Sequence, residues 1–258
     1  MSLSVVIIAK NEQASIRRCL ESVKWADEII VLDSGSTDDT VSICREYTDH
    51  VHQTDWPGFG PQKNRALERA SGDWVLSLDA DEWVTPASRD EIERAMAQPR
   101  GASAFRLPRL SSFCGRFMRH SGWWPDHVVR LFRRGAARFS DDAVHERAIV
   151  DGSTGTLQEP LMHETFVDLD ELLSKMNTYS TLSAQDMHRD GKHSGLRMAV
   201  ARAMWAFVRT YFLRGGLLDG REGFMLAAAT AEGVYYKYVK VMLLQEQETR
   251  TGTGDPGN

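Results

Sequence analysis

One buried strand with two carboxylates at its end, Trp74-Val-Leu-Ser-Leu-Asp-Ala-Asp-Glu82, restricts the fold of this chain more than any other feature. The run from Trp74 to Leu78 is almost continuously apolar, as expected for a central strand covered on both faces. Asp79 and Asp81 follow at the edge where open α/β sheets bind ligands. Paired carboxylates suit Mg²⁺ or Mn²⁺, which favour oxygen ligands. The alternative for an isolated Asp-x-Asp is a solvated acidic turn.

The first 97 residues alternate between strand and helix patterns. Apolar runs at 3–9 and 28–32 and a short predicted strand at 50–53 precede the Trp74 strand. Helix patterns lie at about 16–23, 40–47, 61–70 and 86–97. Thr85 and Ser88 are the two candidate caps of the last helix. This βαβαβαβα order predicts an α/β fold with a doubly wound, mostly parallel sheet.

Three of the four strands end in acidic residues: Glu12, Asp33, and Asp79 with Asp81. Because the carboxyl ends of parallel strands meet at one sheet edge, a single crevice would gather these side chains. The first strand is followed neither by Gly-x-Gly-x-x-Gly nor by a Walker loop, which disfavours a dinucleotide site and a P-loop site.

The charge of the chain is unevenly distributed. The 258 residues carry a net charge of -5, but residues 1–99 hold 10 Lys/Arg and 18 Asp/Glu, whereas residues 101–140 hold eight Arg and one Asp. The acidic part contains the predicted cation site. The basic part could face a phosphorylated acceptor or an anionic surface, or it could be a solvated, salt-bridged face. No nucleic-acid partner is expected.

Cysteine usage favours a reducing compartment, and hydropathy predicts neither a secretory signal nor a spanning helix. The three cysteines, Cys19, Cys44 and Cys114, lack the paired spacing of a disulfide framework or a zinc site. The N-terminus enters a strand without the basic and apolar regions of a secretory signal, and no run of 18 apolar residues predicts a spanning helix.

The pattern changes after residue 102. Strands are predicted at 104–107 and 128–132, with Trp123 and Trp124 in the intervening loop, where they could stack on a sugar or anchor packing. The C-terminal third predicts helices at 169–188, 196–213 and 224–244. The second mixes arginines with apolar residues, which is typical of a membrane interface or of a packed helical pair. Residues 249–258 are predicted to be a disordered tail.

Three blocks, Ser4-Val-Val-Ile-Ile-Ala-Lys-Asn-Glu12, Asp33-Ser-Gly-Ser-Thr-Asp-Asp-Thr40 and Leu78-Asp-Ala-Asp-Glu82, resemble the family 2 glycosyltransferases of GT-A fold. Narrower blocks resemble the lipopolysaccharide core β-1,4-glucosyltransferase subgroup: Trp56-Pro-Gly-Phe-Gly-Pro-Gln-Lys-Asn-Arg65, Trp124-Pro-Asp126, Arg130-Leu-Phe132, Val144-His-Glu146 and His163. The resemblance covers roughly residues 3–245. It implies a GT-A domain over 1–165, with a nucleotide-sugar half (1–99) and an acceptor half (100–165), and a helical extension over 166–248.

The resemblance also implies a UDP-sugar donor and inversion at the anomeric carbon. The implied donor-binding residues are Ala9, Asn11, Glu12, Asp33, Ser34, Lys63, Arg65, Asp79 and Ala80. A divalent cation, Mg²⁺ or Mn²⁺, would be held by Asp81 with Asp79 nearby, and His163 resembles a late metal ligand. The cation would neutralise charge on the departing diphosphate.

Inverting transfer also needs a general base for the acceptor hydroxyl. The Glu-Asp pair that often supplies it in the family is missing in plain form. Glu146 is the first candidate and Asp126 the second, and both could instead be ordinary surface acids.

The implied function is transfer of a hexose, glucose by subgroup likeness, to lipopolysaccharide core or another glycolipid at the cytoplasmic face of the inner membrane. The alternatives are a transferase for another cell-envelope polysaccharide and a non-catalytic nucleotide-sugar-binding homologue. A nucleotidyltransferase is disfavoured because Lys10-Asn-Glu12 is not a Gly-rich basic loop.

Overall fold

The computed structural model of this chain describes residues 1–140, 146–166 and 168–252, except for the side chains of residues 250–252. The chain forms two compact units. Unit 1 contains Met1–Ser111 and Pro125–Glu164, and unit 2 contains Ser112–Trp124 and the chain from Thr165 onward.

The first part of the chain alternates between strands and helices, as its sequence predicts. These elements are β1 (Leu3–Ala9), α1 (Ile16–Val23), β2 (Glu28–Asp33), α2 (Thr40–Cys44), β3 (Val51–Gln53), α3 (Phe59–Leu67), β4 (Trp74–Asp79), β5 (Glu82–Val84) and α4 (Pro86–Ala97). Strands then dominate: β6 (Ala104–Phe113), β7 (Arg116–Phe117), β8 (Asp126–Arg133), β9 (Ala137–Phe139), β10 (Ala148–Val150), β11 (Thr154–Thr156) and β12 (Leu161–Phe166).

The main sheet has the order β3-β2-β1-β4-β8-β6-β12-β5. Strands β1 to β4 are parallel neighbours, which confirms the α/β prediction for the first 97 residues. Beyond β4 the sheet is mixed, because β8 is antiparallel to both β4 and β6, and β12 is antiparallel to β5. The short strand β5, which the sequence pattern did not indicate, brings β12 beside the end of β4.

The core explains why β1 is apolar throughout. Leu3, Val5 and Ile7 pack with α1 and α4, whereas Val6 and Ile8 pack with α3 and β9. Successive side chains of a strand point to opposite faces, so a strand covered on both faces has no solvent-facing position. The parallel register then brings the ends of β1, β2 and β4 to one sheet edge, with Ala9 beside Asp33 and Ile8 beside Asp79.

Two helix termini can be compared with their sequence predictions, the start of α4 and the end of α2. Helix α4 begins at Pro86, and Thr85 caps it by accepting a hydrogen bond from the Ser88 N–H at 3.1 Å. Helix α2 is shorter than predicted: it ends at Cys44, and the chain continues to Thr48 through turn hydrogen bonds.

Unit 2 contains the predicted C-terminal helices. They are α5 (Leu169–Arg189), α6 (Leu196–Val208), a π-helical turn (Arg209–Leu213), a 3₁₀ turn (Gly216–Asp219) and α7 (Gly220–Gly252). None of the described helices is long and apolar enough to cross a membrane. Helix α7 extends four residues into the segment from residue 249 that was predicted as a disordered tail, and adding residues to an existing helix is far easier than starting one. Residues 253–258 lie outside the described part.

Candidate active site

The carboxylate of Asp79, at the end of β4, lies between two buried cations. Its Oδ1 is 2.8 Å from Lys63 Nζ, and its Oδ2 contacts the guanidinium of Arg130. The Lys63 side chain is only 3% exposed and that of Arg130 only 6%. Glu82, which is fully buried, accepts a hydrogen bond from Arg130 at 2.7 Å and another from the Asp79 N–H at 3.0 Å. We call Lys63, Asp79, Glu82 and Arg130 the ion cluster.

A bulge in β8 directs Arg130 into this cluster. Phe105 of β6 pairs with Leu131, and the next residue, Arg106, pairs with Val129, so the β6–β8 register skips Arg130. An extra residue in one strand bends it locally and re-aims a side chain. The bulge therefore explains how an arginine within an apolar strand reaches Asp79.

The cluster fixes the charges of Asp79 and Arg130. Burial acts to raise the pKa of Asp79, but the positive charges of Arg130 and Lys63 outweigh it and hold that pKa well below its usual range. Burial acts to lower the pKa of Arg130, and Asp79 and Glu82 more than offset it. The Asp79 carboxylate is consequently anionic at any physiological pH.

Asp81 is arranged differently from Asp79. Its Oδ1 is buried and has no hydrogen-bond partner among the described residues, and its Oδ2 lies 3.3 Å from His163 Nε2. The β5–β12 pairing sets Glu82 opposite His163, which brings this histidine to the end of β4. Ser111 Oγ lies 2.9 Å from His163 Nδ1 and orients the ring. An unsatisfied buried carboxylate oxygen is costly unless another group binds it.

Asp81 and His163 fit a divalent cation in part. Within the described residues, no group of three or more His, Cys, Asp or Glu side chains could hold an ion by itself. Mg²⁺ and Mn²⁺ sites that act on diphosphates often use one or two protein ligands and complete their coordination with phosphate oxygens and water. The unpartnered Asp81 Oδ1 beside an imidazole matches that kind of incomplete protein site.

Both candidate bases are ion-paired in this structure. Glu146 accepts a hydrogen bond at 2.9 Å from Lys63 Nζ, the same ammonium that contacts Asp79. Asp126 lies 2.7 Å from Arg109 Nη2, and Arg109 in turn lies 3.4 Å from the buried Glu82. Glu146 is therefore linked to Asp79 through one side chain, and Asp126 only through a longer chain of charges. Val144 and His145, named with Glu146 in the sequence, lie outside the described residues.

The ends of β1 and β2 form a second group of predicted residues. The backbone N–H of Asn11 donates to Ser36 Oγ at 2.8 Å, and the Asn11 Oδ1 accepts from the Thr37 N–H at 2.8 Å. Asn11 has a left-handed φ of 57°, which Asn tolerates better than most residues. The Glu12 N–H donates to Thr40 Oγ1 at 2.7 Å. These bonds join the loop after β1 to the loop after β2.

Asp33 organises the same loop. Its buried carboxylate accepts hydrogen bonds from the Gly35 and Ser36 N–H groups at 3.0 Å each, and from the Ser36 hydroxyl. The Ser34 N–H donates to the Ala9 carbonyl at 2.9 Å, which holds the two strand ends together. Glycine at position 35 suits its φ of 82°.

Two residues predicted to bind the nucleotide-sugar donor, Arg65 and Ala80, take no part in the ion cluster or in the bonded loops after β1 and β2. Arg65 pairs with Asp55 at 2.6 Å rather than with Asp79, because residues 63 and 65 of a helix point in nearly opposite directions. Ala80 is buried in the hydrophobic core beneath the strand end. Its side chain therefore packs inward between the two aspartates.

The structural roles of Arg130, Glu82 and Arg109 were not predicted from the sequence. Glu82 and Arg130 belong to segments that resemble the family, and Arg109 belongs to the basic stretch 101–140, but none was assigned to the site. One signal was available: Val-Val-Arg-Leu-Phe places an arginine in an otherwise apolar strand, and a buried arginine needs an anionic partner. The β8 bulge that supplies the partner is not encoded in a local pattern.

Replacing Arg130 by methionine should destabilise the protein by about 3–5 kcal/mol, because it leaves the buried Glu82 without Arg130 and leaves Asp79 with only one of its two cations. The measurement is urea denaturation followed by circular dichroism. Arg133→Met, on the same strand but exposed, is the matched control and should cost about 1 kcal/mol or less. Equal costs for the two variants would contradict the role of the ion cluster.

Comparison with known proteins places this geometry in a family. The model of "Glycosyl transferase family 2" matches residues 4–150. The lipopolysaccharide core biosynthesis glycosyltransferase LpsC of Rhizobium meliloti is 30% identical, over 92% of this chain and 93% of the relative. An uncharacterized glycosyltransferase of Rickettsia typhi is 31% identical over 86% of this chain and 80% of its own.

Two solved structures share the fold. TarS (residues 1–349) of S. aureus in complex with UDP-GlcNAc has a TM-score of 0.50 and 16% identity, covering 98% of this chain and 92% of that one. Glucosyl-3-phosphoglycerate synthase of Mycobacterium tuberculosis in complex with phosphoglyceric acid has a TM-score of 0.51 and 20% identity, covering 76% and 82%. With the family model matching more than half of its length, the chain belongs to glycosyl transferase family 2, has the GT-A fold and is a glycosyltransferase.

Proposed function

We propose that this glycosyltransferase moves a hexose, glucose in the first instance, from a UDP-sugar to lipopolysaccharide core or a related glycolipid, with inversion at the anomeric carbon. The observation that carries the proposal is the pairing of Asp81, with its unpartnered Oδ1, and His163 beside the Lys63–Asp79 ion pair. The likeness to LpsC over 92% of the chain supports a lipopolysaccharide acceptor, and the fold shared with TarS supports a UDP-sugar donor.

In this proposal the diphosphate of the donor binds at the end of β4. Asp81 and His163 would hold the divalent cation, which when bound supplies Lewis-acid neutralisation of the leaving diphosphate. Lys63, whose ammonium is buried beside Asp79, would pair with a phosphate oxygen. Arg130 and Glu82 hold Asp79 in place. The nucleoside would lie toward the joined loops after β1 and β2, where Asp33 and Asn11 shape the backbone.

Glu146 would act as the general base. Its carboxylate takes the proton of the acceptor hydroxyl as the acceptor oxygen forms its bond to the anomeric carbon. The bond from that carbon to the β-phosphate oxygen breaks on the opposite face, and UDP leaves with the electron pair. Lys63 contacts both Glu146 and Asp79, so one ammonium connects the proposed base with the proposed donor site.

We also propose that unit 2 holds the enzyme on the cytoplasmic face of the inner membrane. Several large apolar side chains between α6 and the 3₁₀ turn are more than half exposed: Leu196, Met204, Trp205, Phe212, Leu213 and Leu218. Exposed arginines alternate with them at positions 197, 202, 209 and 214. Apolar side chains that enter the headgroup region, with arginines that pair with anionic lipids, are typical of interfacial helices.

The substitution Asp81→Asn should abolish Mn²⁺-dependent binding of UDP and lower transfer by at least about 100-fold, because it removes an anionic ligand of the cation. Calorimetry with UDP and Mn²⁺ measures the binding. Release of UDP from UDP-glucose in the presence of lipopolysaccharide core measures the transfer. Asp151→Asn, at an exposed position in unit 1, is the control. Undiminished transfer by Asp81→Asn would refute the metal assignment.

Replacing Glu146 by glutamine should reduce kcat by about 10²–10⁴-fold and leave UDP affinity within a few-fold, since the amide oxygen can still accept a hydrogen bond from Lys63 but cannot take the proton. Asp126→Asn, at the second candidate, should retain most of the activity. If kcat falls for Asp126→Asn and not for Glu146→Gln, Asp126 is the general base and Glu146 is not. If neither loses kcat, neither residue is the base.

The double substitution Arg202→Glu with Arg209→Glu should weaken binding to phosphatidylethanolamine–phosphatidylglycerol vesicles by about tenfold or more, because each basic residue near an anionic surface contributes about 1 kcal/mol. Vesicle co-sedimentation is the measurement. The matched control reverses two exposed arginines of unit 1, Arg89→Glu with Arg94→Glu. Equal retention of both proteins by the vesicles would remove the support for this membrane-facing surface.

A further inference from the structure

Two aromatic side chains of unit 1 are exposed next to each other. Trp56 is 42% exposed and Phe59 is 45% exposed, and their ring centroids are 4.8 Å apart at an interplanar angle of 89°. Within the described residues of unit 1, the other exposed large apolar side chains are Met1 and Ile149. Unit 1 buries its remaining large aromatic rings at least in part, so the exposed pair indicates a binding surface.

The loop that carries the pair is held firmly. The Thr54 N–H donates to the Asp33 carbonyl at 2.9 Å, and the buried Gln62 donates to Thr54 Oγ1 at 2.6 Å. The Gln62 N–H donates to the Gly58 carbonyl at 3.0 Å, which closes the first turn of α3. The edge-to-face contact of the two rings fixes them further. A rigid aromatic surface loses little conformational entropy when it binds a ligand.

The pair lies close to the ion cluster along α3. Phe59 is the first residue of this helix, and Lys63 follows four residues later on the same face, about 6 Å along the axis. Lys63 is the residue that contacts both Asp79 and Glu146. Phe59 is thus one helical turn from Lys63, the residue whose ammonium pairs with the proposed general base.

We propose that Trp56 and Phe59 form an acceptor-binding surface that stacks on a pyranose ring of the acceptor glycan. This proposal rests on the proposed function and adds the position of its acceptor. A pyranose presents several C–H groups on one face, and covering them with an aromatic ring removes apolar area from water. The Trp56 indole N–H can donate to a sugar hydroxyl. The perpendicular rings form a corner and not the parallel slot that would enclose a nucleobase. Glu146, the proposed base, pairs with Lys63 one turn along α3 from Phe59, so an acceptor that reaches Glu146 would pass near the rings.

The test measures binding of a heptose-containing lipopolysaccharide core oligosaccharide, released by mild acid, to the full chain in the presence of UDP and Mn²⁺. Calorimetry with Trp56→Ala and with Phe59→Ala should show about tenfold weaker oligosaccharide binding. The affinity for UDP should stay within about twofold. Trp56→Phe should keep most of the oligosaccharide affinity. The control is Tyr179→Ala, which removes a 51% exposed ring from unit 2 and should have no effect.

The outcomes separate the two proposals. If Trp56→Ala and Phe59→Ala bind the oligosaccharide as the unaltered protein does, the acceptor-binding surface is refuted, and transfer by the unaltered protein still decides the proposed function. If these variants lose UDP affinity instead, the rings belong to the nucleotide and the proposal is also refuted. If the unaltered protein binds no core oligosaccharide, the surface does not serve this class of acceptor. Circular dichroism spectra that match the unaltered protein establish that each variant is folded.

Discussion

The buried contact of Arg130 with Asp79 and Glu82 is the interaction on which the site depends. Asp79 and Glu82 are two carboxylates close together at the end of a strand, where a buried carboxylate without a cation is costly. The guanidinium of Arg130 contacts both, and the Lys63 ammonium contacts Asp79 from the other side. Glu82 also accepts the Asp79 N–H, so the backbone at the strand end is fixed by the same group.

The two aspartates of the Asp-x-Asp motif, Asp79 and Asp81, therefore have different surroundings. Asp79 is already neutralised by protein cations, whereas Asp81 keeps a buried oxygen without a partner among the described residues. An additional cation would therefore gain more from Asp81 than from Asp79. The antiparallel β5–β12 pair completes this side of the site by bringing His163 alongside. The proposed metal ligands, Asp81 and His163, thus come from two distant parts of the sequence that the short β5–β12 strand pair brings together.

Much of unit 1 could be predicted because its local signals agree with its fold. The apolar runs of β1, β2 and β4 have no polar face because the sheet is covered on both sides, and the Thr85 cap marks the start of α4. The gathering of Glu12, Asp33 and Asp79 at one edge follows from parallel order alone. Arg130 could not be assigned in this way, because its direction depends on a bulge relative to β6. The separation of Lys63 from Arg65 follows from helix geometry, but which of the two faces Asp79 depends on how α3 packs.

The most direct test of the central claim is a calorimetric titration of the unaltered protein with UDP-glucose, UDP-galactose, UDP-N-acetylglucosamine and GDP-mannose, with Mn²⁺ and again with EDTA. A UDP-sugar should bind with Mn²⁺ present and this binding should be lost in EDTA, since Asp81 and His163 would hold the donor only through a shared cation. Equal affinity in EDTA, or binding of GDP-mannose with no UDP-sugar bound, would contradict the central claim.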